Sequence, residues 1–352
     1  MEKARGSDTP TVRERVLPFQ GNWHLPWVAQ RYWRTGRRAL TPHKLLNALL
    51  ALAEMKAGRA RVWSSPSVLR IEPTNVCNLR CPRCSCGINS DPRPKGFMRL
   101  DDFRLVLEQN HPSAAIVRLD GNGEPTLHPQ IFEMIRMAKV LGYSVSMSAN
   151  FNTTLCAEAD GILDSGLDRL VVPLDGLTQE SYERYRVGGN LALVTGRLEA
   201  LLGARRRRGL SLPLVEVQFL DWGYNHEEIP ALRALVRRWG ADKLQVISPD
   251  WPVDHAVADP RRPRRCFWLW HVVTVDWQLN YRACTNAWTF PWPRLNLRNV
   301  PARELWNHEM MREARRFNVD KSSALIAADK GCNCNTCCDM LVVNRPPGYV
   351  CQ

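Results

Sequence analysis

Three cysteines are the first residues in this chain whose type and spacing could do chemistry. They lie in Cys77-Asn78-Leu79-Arg80-Cys81-Pro82-Arg83-Cys84. Thiolates this close can hold three irons of a [4Fe–4S] cluster and leave the fourth iron open to a small-molecule ligand, which a four-cysteine site would not permit. Two plainer readings compete. Spacings of four and three also make one stripe of a helix, and buried cysteines are common. With Cys86 added, the group could instead bind zinc. Pro82 inside the run, and the strand pattern of 68–72 just before it, argue for a loop.

A second set of cysteines lies far downstream. Cys266 and Cys284 are separated by seventeen residues, Trp268, Trp270 and Trp277 among them, and Cys332, Cys334, Cys337 and Cys338 follow. One pair from each part gives C-x17-C…C-x2-C, four thiolates fit for a closed cluster or for structural zinc. The start of the chain, MEKARGSDTP, has no apolar core behind its charges. Twelve cysteines in such a 352-residue chain point to metal or redox chemistry rather than to secreted disulfides, and to a cytoplasmic location.

The elements that must position these groups alternate in type. Strand patterns at 68–72, 115–120, 144–148, 169–173, 215–220 and 243–247 are separated by helical stretches at 100–108, 129–141, 157–165, 191–208 and 227–239. Regular alternation implies an α/β fold with a parallel sheet and right-handed crossovers, and six units make a partial (β/α)6 TIM-type barrel. Residues 1–66 read as an N-terminal basic helical extension without strand pattern, whose amphipathic helix runs over 42–57. Residues 67–250 form the barrel. Residues 251–352, opened by a Pro- and Arg-rich linker at 249–265, form a small C-terminal domain with a helix at 302–317.

The formal charge of +13 sits at the two ends. Residues 1–66 carry twelve Lys/Arg against four Asp/Glu, residues 67–250 carry 22 of each, and residues 251–352 carry fourteen against nine. The longest nearly apolar stretch, 45–55, spans eleven residues, too few to cross a membrane as a helix. Arg31, Arg34, Arg37 and Arg38 interleave with Trp23, Trp27, Tyr32 and Trp33 ahead of the Leu-rich helix, which suits an anionic membrane surface. The plainer reading is a helix covering the open side of the barrel, with its arginines solvated.

With these segments in place the chain resembles the radical S-adenosylmethionine (AdoMet) superfamily, whose signature is C-x3-C-x2-C after the first strand of a partial barrel. Asn122-Gly123-Glu124-Pro125 resembles that family's "GGEP" segment, and Ser148-Ala149-Asn150 its "STN". Leu174-Asp175-Gly176 resembles "SLDG", with Tyr182, Tyr185, Arg186 and Gly188 matching the sequel. The resemblance implies that Cys77, Cys81 and Cys84 hold the cluster. It further implies that Asn122, Gly123, Glu124, Pro125, Ser148, Asn150, Asp175 and Arg186 bind AdoMet. Three positions depart: Phe151 stands where Gly is usual, Pro173 for a Ser, and Arg83 where an aromatic is frequent. The implied chemistry is reductive cleavage of AdoMet to methionine and a 5′-deoxyadenosyl radical that abstracts a substrate hydrogen, with an electron donor such as flavodoxin or ferredoxin as partner.

The C-terminal region is similar to the SPASM/twitch extension. The C-x2-C-x5-C-x3-C run of a full, two-cluster SPASM domain does not occur. The single-cluster twitch form of 2-deoxy-scyllo-inosamine dehydrogenase-type enzymes fits better, and implies an auxiliary [4Fe–4S] cluster on Cys266, Cys284, Cys334 and Cys337. Cys332 or Cys338 could replace either of the last two.

That similarity implies oxidation of an alcohol on a carbohydrate- or cyclitol-like small molecule, with Asp120, Asp221 or Asp250 as base. For each of these aspartates capping or solvation is the bland role. Related epimerases return hydrogen from a thiol, for which Cys156 or an unligated C-terminal cysteine is the candidate. A redox-neutral sugar epimerase, a peptide or lipid-linked substrate, and a non-catalytic zinc or iron–sulfur protein remain the alternatives. Peptide-modifying members usually carry a winged-helix module, for which 66 residues are too few, and no nucleic-acid module occurs.

Overall fold

A computed structural model describes residues 13–16, 39–247, 265–283 and 295–320. Its centre is one sheet of nine strands. They are β1 (Arg13–Val16), β2 (Val68–Ile71), β3 (Ile116–Leu119), β4 (Ser144–Ser148), β5 (Arg169–Pro173), β6 (Leu214–Leu220), β7 (Lys243–Ile247), β8 (Val272–Val275) and β9 (Tyr281–Arg282). The order is β1-β7-β6-β5-β4-β3-β2-β8-β9, and every neighbouring pair is parallel except β8–β9. Strands β2–β7 are the six predicted ones, in the order expected of a partial TIM-type barrel.

Alternation along the strands gives the sheet two faces. Leu69, Ile71, Val117, Leu119, Val145, Met147, Val215 and Val217 are buried against the helices. Those helices are α1 (Pro42–Lys56), α2 (Leu100–Asn110), α3 (Ile131–Val140), α4 (Ala159–Asp164), α5 (Gln179–Tyr185), α6 (Leu191–Arg207), α7 (Ile229–Trp239), α8 (Trp268–His271), α9 (Ala302–Trp306) and α10 (Glu309–Asp320). The opposite, concave face is the lumen. Its floor, at the N-terminal ends of the strands, is a small apolar cluster of Val68, Ala115, Ile116, Val272 and Phe267 with Trp268 against it.

Four expectations change. Residues 13–16 are a strand after all, and extend the sheet beyond β7. The sheet runs past residue 250, because β8 pairs with β2 in register Val68↔Val272 and Arg70↔Thr274. The helix expected over 302–317 breaks at Asn307, whose amide leaves the helix to exchange two hydrogen bonds with the Val62 backbone (2.9 Å each). Finally, α1 packs with its leucines outward, at the N-terminal end of the barrel.

Candidate active site: the cluster loop and its AdoMet cradle

The loop that leaves β2 carries Cys77, Cys81 and Cys84, and backbone contacts set its path. Glu124 N–H donates to the Val76 carbonyl (2.8 Å), Arg80 N–H to Val187 (2.9 Å) and Cys84 N–H to Cys81 (3.1 Å). At Gly87 a Cβ would stand 2.2 Å from the Cys81 carbonyl oxygen, so the turn closes only over glycine. Burial pushes the Cys77 thiol up to about 12 and raises Cys81. A hydrogen bond from Cys86 draws Cys84 down to about 6. Cys86 itself lies 3.3 Å from the Asn75 carbonyl, facing the loop's own backbone.

Beside the thiols stands Arg186, just past the end of α5. Its Nη1 is 3.9 Å from Cys81 Sγ, and its Nε donates to Asp175 at 2.5 Å. Asp175 is fully buried and also accepts from Leu220 N–H (2.7 Å). Burial would lower Arg186, but Asp175 and Cys81 outweigh it and hold the guanidinium charged. A fixed cation at this point offsets the cost of burying thiolates.

The next strand end holds Asn122-Gly123-Glu124-Pro125. Gly123 has φ +84°, and a Cβ there would lie 2.4 Å from the Thr74 carbonyl oxygen. Glycine therefore lets this loop touch the cluster loop. Glu124 is buried: one oxygen accepts from Thr126 N–H (3.0 Å) and Oγ1 (2.6 Å), the other from Asn150 N–H (2.7 Å). It joins the loops after β3 and β4. Asn122 N–H donates to Glu72 (3.1 Å), and Asn150 Nδ2 donates to Asn78 Oδ1 inside the cysteine loop (2.9 Å). Ser148 ends β4 half-buried on the concave face. Pro125 opens a short 3-10 turn that Glu124 caps.

The donor set fits an iron–sulfur cluster with AdoMet. Among the described residues no three of His, Cys, Asp or Glu gather at the spacing a single ion needs, whereas a cluster takes each thiolate on a separate iron. Two buried donors at the loop, Ser85 Oγ and Trp222 Nε1, lack partners. A family profile described as the Radical SAM superfamily matches residues 71–212. Residues 71–212 are thus a radical SAM domain.

A tungsten-containing aldehyde ferredoxin oxidoreductase cofactor-modifying protein of Pyrococcus furiosus is 27% identical over 181 residues, 51% of this chain and 50% of that protein. PqqA peptide cyclase of Methylorubrum populi is 31% identical over 188 residues, 53% and 47% of the two chains. The chain thus spans about half the length of these curated relatives. Streptococcus suis SuiB bound to S-adenosylmethionine shares the fold, with a TM-score of 0.60 at 14% identity over 77% of this chain and 72% of that one.

The radical SAM domain corrects two of the residues read as catalytic. Asp120 reaches the lumen, but Arg70 Nε (2.6 Å) and Arg118 Nη2 (2.5 Å) clamp it. Burial would raise it, yet the two guanidiniums hold it well below the usual carboxylate range, too weak a base for a hydroxyl proton. Cys156 is buried behind Glu124, 3.4 Å from Thr126 Oγ1, and burial raises it to about 11. Only 2% of it is exposed, which disfavours it as a hydrogen donor to a substrate. Asp221 stands at the end of β6 and bonds His226 Nδ1 at 2.8 Å. His226, which the sequence reading missed, is raised by Asp221 and open to solvent. Cys266 is half-buried, its N–H donating to Asn318 (3.0 Å). Asp250, Cys284, Cys334 and Cys337 lie outside the described residues.

Two departures from the family pattern find physical reasons. Arg83 stacks on Trp222, 4.8 Å from guanidinium to ring, so an aromatic group reaches the cluster loop from the segment after β6. Phe151 adopts φ +61° with its ring completely buried.

Proposed function

We propose that this protein is a radical SAM oxidoreductase acting on a small, polar, hydroxyl-bearing substrate of carbohydrate or cyclitol type. The supporting observation is the wall of the lumen above its apolar floor. In-register neighbours on the concave face are Arg70, Arg118, Ser146 and Arg169, with Thr274 beside Arg70. Thr274 Oγ1 and, across the lumen, Gln245 Oε1 are buried without partners. Unmet polar groups in a concave site favour a ligand that hydrogen-bonds and disfavour an apolar one.

Cys77, Cys81 and Cys84 would hold the cluster and the cradle around Glu124 would hold AdoMet, and together the two would supply a radical able to remove hydrogen from an unactivated carbon. The chain's own work is positional. Arg186 and Asp175 fix charge beside the thiolates, and the Glu124 staple holds the loops after β3 and β4. Asp221 takes the hydroxyl proton and His226, 63% exposed, passes it to solvent. Cys266 with Cys284, Cys334 and Cys337 would hold an auxiliary cluster, which supplies an acceptor for the second electron of an alcohol oxidation.

The test is anaerobic reconstitution followed by turnover with carbon-deuterated polyols, sugars and cyclitols. Deuterium in 5′-deoxyadenosine together with a ketone product is the expected result. Deuterium transfer from peptides alone would overturn the reading in favour of the chemistry named for the peptide cyclase relatives.

A further inference from the structure

Helix α1 is inside out. Its buried residues are Lys44, Asn47, Ala51 and Glu54, and its leucines face away from the protein. Leu45, Leu46 and Leu49 are 49%, 66% and 50% exposed, with Leu40 and Trp63 also in the open. The polar residues act as pegs that leave no choice of rotation. Lys44 Nζ donates to the Gly142 carbonyl (2.8 Å), and Asn47 exchanges hydrogen bonds with Ser65 N–H and C=O (2.8 and 3.0 Å). Glu54 accepts from Trp63 N–H (2.7 Å) and Ser64 Oγ (2.6 Å). An apolar face held outward by specific buried hydrogen bonds is a built feature, and a soluble surface gains nothing from it.

We infer that this face docks on an anionic lipid bilayer. The charge around it decides the occupant. Lys56, Arg59 and Arg61 are exposed along its edge, and Glu54, the one acidic residue between 39 and 66, is buried and fully engaged. Trp63 is 74% exposed with the Arg59 guanidinium 5.6 Å over its ring, the pairing of apolar body and cation that suits a headgroup interface. A second copy would bring the same cations against themselves. It would also meet an apolar strip of roughly 200 Å², about 22 Å long by about 10 Å wide, where a stable interface needs about 800 Å² per partner. Residues 1–38 carry eight Lys/Arg against three Asp/Glu and would repel the rim too. No described helix is long and apolar enough to cross a membrane, so contact is with the surface.

Orientation follows. Gly142, Ser65 and Ser113, which α1 touches, precede β4, β2 and β3, whereas the cysteine and AdoMet loops follow strand ends. A strand of five residues is about 16 Å long. Docked by α1, the enzyme turns its catalytic mouth toward water and takes its substrate from the aqueous side.

Full-length protein is sedimented with vesicles of phosphatidylcholine alone or mixed with phosphatidylglycerol, at low and high salt. Expected is pelleting with the anionic vesicles at low salt, weakening as salt rises. Leu46→Gln with Leu49→Gln should reduce partitioning roughly tenfold or more while iron content and circular dichroism stay unchanged. Arg59→Gln with Arg61→Gln should remove the salt dependence. Three results would overturn the inference: no pelleting, pelleting unaltered in the leucine variant, or light scattering of a dimer that the leucine variant dissolves.

Discussion

Phe151 sets two large effects against each other, and comparing two replacements separates them. Its φ of +61° lies in the left-handed region, which costs a residue with a Cβ roughly 1–2 kcal/mol. Its ring is completely buried in the main core. Truncating a buried Phe costs about 3–5 kcal/mol. Phe151→Ala loses the ring and keeps the strain, so the full 3–5 kcal/mol is expected. Phe151→Gly loses the ring, relieves the strain, and gives back roughly 0.4–1 kcal/mol by loosening the unfolded chain. Glycine should therefore be the more stable of the two by about 0.5–1 kcal/mol, the reverse of the usual order at an element interior. Anaerobic urea unfolding, read as a shift of midpoint at constant slope, measures it. If Phe151→Ala is as stable as Phe151→Gly, the left-handed backbone carries no strain and the argument is wrong. Both variants should also lower AdoMet affinity, because the flanking Asn150 holds Glu124 and Asn78.

Replacing Cys77, Cys81 and Cys84 together by Ala should abolish AdoMet cleavage and take iron from about eight to about four atoms per chain. Continued 5′-deoxyadenosine production would remove the cluster assignment, and about twelve irons in the unaltered protein would mean two auxiliary clusters. Glu124→Ala strands the amides of Thr126 and Asn150, at about 1–3 kcal/mol each. Glu124→Gln keeps an acceptor for one of them, so it should unfold at a higher temperature than Glu124→Ala while both weaken AdoMet binding; equal melting would deny the staple. His271 is 3% exposed, and burial lowers its pKa to about 4. The unfolded chain then binds the proton first, so stability should fall from about pH 6.5 to about pH 4, by up to about 3 kcal/mol. His271→Phe should flatten that slope, and an unchanged slope would show that other groups carry it.

What could be read from the sequence was whatever one segment carries by itself. Apolar alternation and Gly/Pro punctuation located β2–β7 to within a residue or two, and with them the cysteine loop and the Gly123 turn. Contacts between distant segments stayed hidden. The charged run Arg13–Val16 gives no strand signal alone, and its pairing with β7 spans 230 residues. Asp120 was rightly placed at a strand end. Its loss as a base depends on Arg70 and Arg118 standing side by side on two strands, which no local pattern reports. The leucines of α1 suggested a buried stripe, but three polar side chains with exact partners outweigh unspecific burial. His226 could have been found from its position five residues after Asp221.

The same logic explains how the radical site is tied to the C-terminal region. Arg93, on the segment after the cysteines, meets Glu72 at the end of β2 (2.6 Å), Asp91 (2.7 Å) and Asp276 just past β8 (3.1 Å). Burial would raise Asp91, but Arg93 holds it down to about 2. Arg282 on β9 reaches Asp276 at 2.5 Å, and Glu72 also accepts from Asn122 in the AdoMet cradle. Three buried carboxylates around one guanidinium are costly to assemble and costlier to break singly. Such a network suits fixing a geometry better than adding stability. Here it fixes the cysteine loop, the loop after β3 and the β8–β9 hairpin as one unit. Cys266 enters the sheet through α8 directly before β8, so the first ligand proposed for the auxiliary cluster is registered against the radical site by the barrel itself and not by a linker.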